Sequence, residues 1–304
     1  MEFPAPPSPA RARPAVLFLL SLALAALIGM AAAQGDTLGK SAAKAKVEPV
    51  PGAAPGKAKT ATHGTTAAPS PVPADTLPPP LRNLGQKALK VPEKLLFDII
   101  WGGWSFRWIT AGQATLELLP TEKPYEWKIQ SLAWCNGFFQ SFYPVNDTVV
   151  SIIDSRGIYP LRFDKHLNEG SYHADISARY DQVGHTLKTQ DTTLSIEPFT
   201  HDVLSAFYFI RTQHLQVGDT LDLEAVSGKK KYKLKVLCHG RETIKVPAGE
   251  FRTLVVEPVL KGDGLFKAKG KLTIWVTDDE SHTPVKMVSK IPVGSIKAEL
   301  VSKT

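Results

Sequence analysis

Cysteine is scarce: the 304 residues hold two, Cys135 and Cys238. That excludes a disulfide-stapled framework and leaves room for one bridge in an oxidising compartment. No G-x-S-x-G turn occurs, so there is no strained nucleophile elbow of the hydrolase kind. There is no internal repeat. Surplus charge is lacking where it would matter. The formal net charge is +7, but residues 34–93 carry +4 of it and residues 1–33 carry +1, leaving +2 for residues 94–304. That stretch has no electrostatic footprint for nucleic acid.

What is present falls into three blocks. Arg11 and Arg13 precede an apolar run from Ala15 to Met30, followed by Ala31-Ala32-Ala33. This pattern reads as a secretory signal at residues 1–33, with cleavage between Ala33 and Gln34. The alternative is an uncleaved inner-membrane anchor formed by residues 15–33, a stretch nearly long enough to span a bilayer. No cysteine stands near the site, which argues against a lipid-anchored lipoprotein. The expected location is periplasmic.

Residues 34–93 form a linker rich in Pro, Ala and Lys, holding ten of the 24 prolines and almost no aromatics. Such a composition cannot bury enough apolar surface to offset chain entropy. As a loose coil it reaches on the order of 40 Å, and fully extended roughly 180 Å.

From Leu95 onward short apolar alternations are separated by turn residues. They predict an all-β domain over residues 94–304 that folds on its own. Its form is a single antiparallel curved sheet, barrel-like, of about eleven or twelve strands. One helix interrupts them at 201–215. There Val203, Phe207, Ile210 and His214 recur at steps of three and four, with Leu204 and Tyr208 widening the face. Asp202 stands at the N-cap position, and Arg211 and His214 fall in the last turn, where cations suit the dipole. Phe207 and Ile210 are expected to be buried against the sheet.

An ordered set of residues gives a further lead. Gly112-x-Ala114, Asp147, Pro160-Leu161-x-Phe163 and Asp202-x-x-Ser205-Ala206-x-Tyr208-x-x-Arg211 are followed by Gly218 and Ala248-Gly249-x-Phe251. Ile274-Trp275-x-x-Asp278-Asp279 and Pro284 complete it. In order and spacing this set resembles the exported bacterial family known as domain of unknown function 3108, over about residues 94–304. The resemblance implies an envelope location and a curved β-fold, and it carries over no catalytic residues.

Several constellations are candidate sites. Asp202, Ser205, Tyr208 and Arg211 share the helix, with Ser205 and Tyr208 one turn apart. A nucleophilic serine needs a positioned base, and none is identifiable in the sequence. The structural alternative is that Asp202 caps, Ser205 packs as a small residue and Arg211 pairs with a carboxylate. Five of six tryptophans fall within residues 101–134, and Trp104 and Trp108 alternate on one face with Phe106. Such a face can stack on sugars or line a lipid cleft, or simply form core.

A hairpin at 161–176 with its turn centred on Glu169-Gly170 would oppose Asp164 to Asp175 and His166 to His173. That quartet is a weak metal candidate beside the plainer reading of a solvated outer face. Cys135 and Cys238 either pair or remain two buried thiols. Asp278-Asp279 is the nearest carboxylate pair, but neighbours on a strand point to opposite faces.

The expected function is therefore that of a non-enzymatic envelope module. It binds an apolar or glycan ligand, with a lipid, glycan or envelope protein as partner, no cofactor, no metal and no catalytic residue. Membrane contact is expected only through residues 15–33. The alternative is an envelope hydrolase acting on cell-wall or polysaccharide material. A deep polar cleft would favour the enzyme, and an aliphatic and aromatic trough would favour binding.

Overall fold

Alternation of apolar and polar residues places every second side chain on one face of a strand, and in this chain nearly all those faces point the same way. The computed structural model describes Leu84 and residues 89–103, 106–141, 143–261, 272–291 and 294–304. Trp104, the signal, its cleavage site at Ala33 and Gln34, and most of the linker lie outside the described residues.

Eight strands come first: β1 (Glu93–Gly103), β2 (Phe106–Pro120), β3 (Glu126–Cys135), β4 (Asn146–Asp154), β5 (Tyr159–Glu169), β6 (Tyr172–Asp181), β7 (Thr186–Thr189) and β8 (Thr193–Ser195). A one-turn helix, α1 (Gly137–Gln140), sits between β3 and β4. Helix α2 (Val203–Arg211) then leads into β9 (Thr220–Ser227), β10 (Lys230–Val246), β11 (Gly249–Lys261), β12 (Leu272–Thr277), β13 (Pro284–Ile291) and β14 (Gly294–Lys303).

All fourteen strands belong to one antiparallel sheet, in the order β8-β7-β6-β5-β4-β3-β2-β1-β14-β13-β12-β11-β10-β9. Each strand pairs with its neighbour in sequence, and the first and last strands close the centre. The count exceeds the expected eleven or twelve. β7 and β8 are short and threonine-rich, so they show no apolar alternation to read. Residues 231–238 and 242–246 look like separate strands but join as β10, with a register shift between Cys238 and Gly240.

The sheet curls until its edges approach. His201 bridges Ala225 of β9 in parallel, donating its N–H to Glu224 O (2.8 Å) and accepting from Val226 N (2.9 Å). Ala178, Tyr180, Leu187, Ile196 and Val226 pack there as one apolar cluster, joining the β6–β8 side to β9. The sheet thus folds over α2, and Leu204, Ala206, Tyr208 and Phe209 enter the main core with Leu95, Phe97, Ile129 and Leu254.

Gly112 allows one close approach inside this sheet: a Cβ there would stand 2.1 Å from Trp134 O, so no side chain fits. At the C-terminal side of the β10–β11 turn, Gly249 takes φ +134°, a region L side chains rarely adopt.

Candidate functional site

α2 is buried on more sides than its periodic stripe suggests. The stripe itself, Val203, Phe207 and Ile210, is only half-buried and packs along the edge of the main core. The expectation that Phe207 and Ile210 are fully buried is therefore corrected. Their side chains line clefts between helix and sheet.

The first cleft is narrow and open to solvent, with about 30 Å³ of free volume, room for about one water. Phe97, Ile99, Ala114, Leu116, Met287 and Ala298 form its sheet wall, Val203, Leu204 and Phe207 form its helix wall, and Thr115 and Ser131 are its polar members. Small residues at 114 and 298 leave the room that leucines would fill. The second cleft, about 20 Å³ of free volume, lies against β10–β12, where Val236, Val256, Pro258, Ile274 and Val276 face Phe207, Ile210 and Leu215, with Arg211 and His282 as its polar members. Phe207 is common to both.

Of the polar helix residues only Arg211 borders a cleft, and all of them are held tightly. Asp202 has extended backbone (φ −82°, ψ 177°) and accepts from Leu204 N (2.7 Å) and Ser205 N (2.9 Å), as an N-cap should. Its second oxygen accepts from Ser151 Oγ of β4 (2.6 Å). Burial pushes the Asp202 carboxyl up to about 6, against the pull of these donors.

Ser205 Oγ lies 3.1 Å from His201 Nδ1 and 3.2 Å from Asp202 O. A base-like neighbour for Ser205, which the sequence did not reveal, thus exists one helical turn before it. His201 and Ser205 have no exposed surface, and the His201 ring packs on Phe209 with centroids 5.2 Å apart. A nucleophile must reach its substrate. This Ser–His pair faces the interior.

Arg211 is the most deeply held cation. It forms a two-pronged ion pair with Glu93, at 2.7 and 2.9 Å, and donates through Nε to Ser281 O (3.2 Å). Its guanidinium lies 4.9 Å from the Tyr208 ring centroid. Both charges are at most 2% exposed. Burial opposes ionisation of Glu93, but Arg211 and Lys303 outweigh it and hold its carboxyl below the usual range. Glu93 lies within the stretch read as linker, yet it opens β1. Leu84, Leu89 and Val91 also pack against the core.

A second charged group on the concave face involves Asp147, Lys165 and Glu169 on β4 and β5, all buried. Asp147 accepts from Asn168 N (2.8 Å) and makes a side-chain hydrogen bond with Glu169. Burial raises the Asp147 carboxyl and lowers the Lys165 ammonium, and each group's charge opposes the shift of the other. Asp147 belongs to the ordered residue set. Lys165 and Glu169 were not singled out, because alternation alone marks them as ordinary inward positions.

The proposed hairpin register is off by two. Glu169 pairs with Tyr172, because Gly170 takes φ +61° and the turn forms at Gly170-Ser171. Asp164 therefore faces Ser177 and binds its Oγ (2.8 Å) and Arg162 Nε (2.7 Å). His166 faces Asp175, with Nδ1 2.5 Å from its carboxylate, and His173 faces Asn168. No two carboxylates oppose each other, so the reason for a cation disappears.

Cys135 and Cys238 are two separate buried thiols, in different apolar clusters. Trp108 is half exposed, and Lys297 Nζ lies 3.8 Å from its ring centroid. Asp278 pairs with Arg241 and Arg252, whereas Asp279 caps the following turn through Thr277 Oγ1 and Ser281 N. The adjacent carboxylates serve different neighbours.

A curled antiparallel sheet, nearly closed on itself and filled by one capped helix, defines a barrel-like β domain. The residue pattern that builds it is that of one family. The chain belongs to the DUF3108 family of proteins of unknown function, whose model matches residues 96–301.

Among solved structures it is similar to the β-barrel-like DUF1849 protein of Brucella abortus. The match has 11% identity and a TM-score of 0.50, and it covers 73% of this chain and 99% of that one. It also matches a protein from Bacteroides fragilis described as exported, with a YmcC-like fold. There the identity is 11%, the TM-score 0.32, and the coverage 73% and 98%. A third, a Parabacteroides distasonis protein described as a lipoprotein, has 9% identity, a TM-score of 0.30, and coverage of 73% and 97%. At such identity the Brucella likeness speaks to fold alone. No curated protein matches. Among the described residues no helix is long and apolar enough to cross a membrane.

Proposed function

We propose that this is an exported, periplasmic binding module, non-enzymatic, whose curled sheet and α2 hold an apolar envelope ligand. The observation that carries the reading is the cleft beneath α2. Its walls are mainly aliphatic and aromatic, with Phe207 at the junction of two adjoining narrow spaces that a chain would enter by parting α2 from the sheet. Apolar walls gain free energy from an alkyl or isoprenoid chain and have few groups to meet a sugar's hydroxyls. The hydrolase alternative has the Ser205–His201 contact in its favour, but that contact is sealed from solvent.

The test uses the full chain with the fluorescent apolar probe N-phenyl-1-naphthylamine. Wild type should bind it saturably. Ala298→Val, which narrows the first cleft, should weaken binding at least several-fold while the protein keeps a cooperative thermal transition. Equal binding by both proteins would place the probe elsewhere and remove the support for the cleft.

A further inference from the structure

The sheet has two unlike rims. The β2–β3, β4–β5, β6–β7, β10–β11 and β12–β13 turns lie at one end. Both ends of the domain lie there too: Lys94 and Thr304 exchange two backbone hydrogen bonds, at 2.9 and 3.0 Å. The chain thus enters β1 and leaves β14 at this rim.

The other rim carries the β1–β2, β3–β4, β5–β6, β7–β8, β9–β10 and β13–β14 connections. Five of the seven large apolar side chains that stand exposed among the described residues belong to it: Trp108, Ile109, Trp134, Phe138 and Tyr172. Phe138, on α1, is 70% exposed. α1 is held out at this rim by Asn136, which caps it and donates to Thr110 O. Exposed Lys229, Lys230, Lys231 and Lys290 stand on the same rim. Its described exposed carboxylates, Asp175 and Asp191, are engaged by His166 and Lys229. The Lys229–Asp191 pair also ties the β9–β10 turn to the β7–β8 turn, so the rim continues across the place where the sheet's edges meet.

We propose that this aromatic and lysine rim docks on an anionic phospholipid surface. Tryptophan and tyrosine settle at the boundary between headgroups and acyl chains, because their rings are apolar and their N–H and O–H groups remain wet. Lysines add attraction to acidic headgroups. Exposed apolar side chains gathered at one rim otherwise cost solubility without return. This inference does not depend on what fills the cleft, and it differs from the expectation that only residues 15–33 touch a membrane.

The test asks which rim meets the bilayer, because residues 15–33 would bind vesicles in every variant of the full chain. A fluorescent nitrobenzoxadiazole group is attached at Gly137→Cys on the aromatic rim, where an added Cβ meets no atom within 4 Å. A second protein carries it at Glu122→Cys, in the β2–β3 turn on the opposite rim. The buried Cys135 and Cys238 should not react, as the unsubstituted chain will verify.

With vesicles of phosphatidylcholine and phosphatidylglycerol, emission at 137 should shift to the blue and escape aqueous quenchers, whereas emission at 122 should not. Reversing Lys229, Lys230 and Lys231 to Glu should weaken the effect by roughly fivefold or more for each lysine. Phosphatidylcholine alone should give a smaller shift. If the label at 137 stays in water, or both labels shift equally, the proposal is overturned and the rim is left to a protein partner or a second copy. If the shift at 137 survives charge reversal unchanged, the lysines do not read the lipid and the assignment to an anionic surface fails.

Discussion

Asp202 shows how much one side chain can carry. It caps α2, accepts from Ser151 and is buried, and burial raises its carboxyl to about 6. Unfolded, the same group titrates near 3.8. Between those values the folded state holds the proton more tightly, so this contribution to stability is complete below about pH 4. It is lost as pH rises through about 6, a change of about 3 kcal/mol. Asp202→Asn keeps an acceptor for the two backbone N–H groups but cannot ionise. Urea unfolding at several pH values should then show wild type losing stability relative to Asp202→Asn between pH 4 and 6.5. Glu93, held low, pushes the other way in both proteins and cancels in the difference. A constant difference across that range would mean that Asp202 is ionised throughout.

Residue types were also where the sequence could be read only in part. The cap position of Asp202 and the need of Arg211 for a carboxylate follow from local spacing. The identity of that carboxylate does not, because Glu93 is 118 residues away. His201 was hidden for a different reason. It looks like the leading edge of a helix, but its backbone is committed to bridging β9, which turns its ring inward toward Ser205.

At the level of elements, α2 is the piece on which the rest closes. Phe209 is buried among core side chains, whereas Phe207 lines the clefts. Phe209→Ala should cost about 3–5 kcal/mol by transfer and cavity terms. Phe207→Ala should cost clearly less, because part of its surface is already open. Chemical denaturation of the two variants gives the comparison, and equal costs would mean that the clefts close in solution.

Strands were legible wherever polar and apolar residues alternate, which covers most of β1 to β6 and β9 to β14. β7 and β8 were not, and the β5–β6 register was wrong by one choice of turn. Sliding the turn from Glu169-Gly170 to Gly170-Ser171 keeps the inward face unchanged, so the apolar pattern could not decide it.

For the whole molecule, the Glu93–Arg211 pair places the true start of the domain before residue 94. A fragment of residues 84–304 should melt with the full chain. A fragment of residues 94–304 strands Arg211 in the interior and should lose about 3–5 kcal/mol, or roughly 10 °C in Tm. Glu93→Gln in the full chain should reproduce much of that loss. If the 94–304 fragment melts with the full chain, Lys303 or solvent compensates Arg211 and the boundary read from composition was sufficient.

The pairing of β1 with β14 has a further consequence. Every other strand waits only for its neighbour in sequence, and each such hairpin can form as the chain lengthens. β1 alone needs the sheet's last strand, β14, as its second partner. Until β14 exists, the centre of the sheet is a seam with one side missing, and the core beneath it stays wet. Long-range closure of this kind is slow, since the loop entropy of the entire domain must be overcome before the seam gains its contacts. A domain wired in this way can form its hairpins early, yet it becomes a barrel only when β14 zips the two halves together.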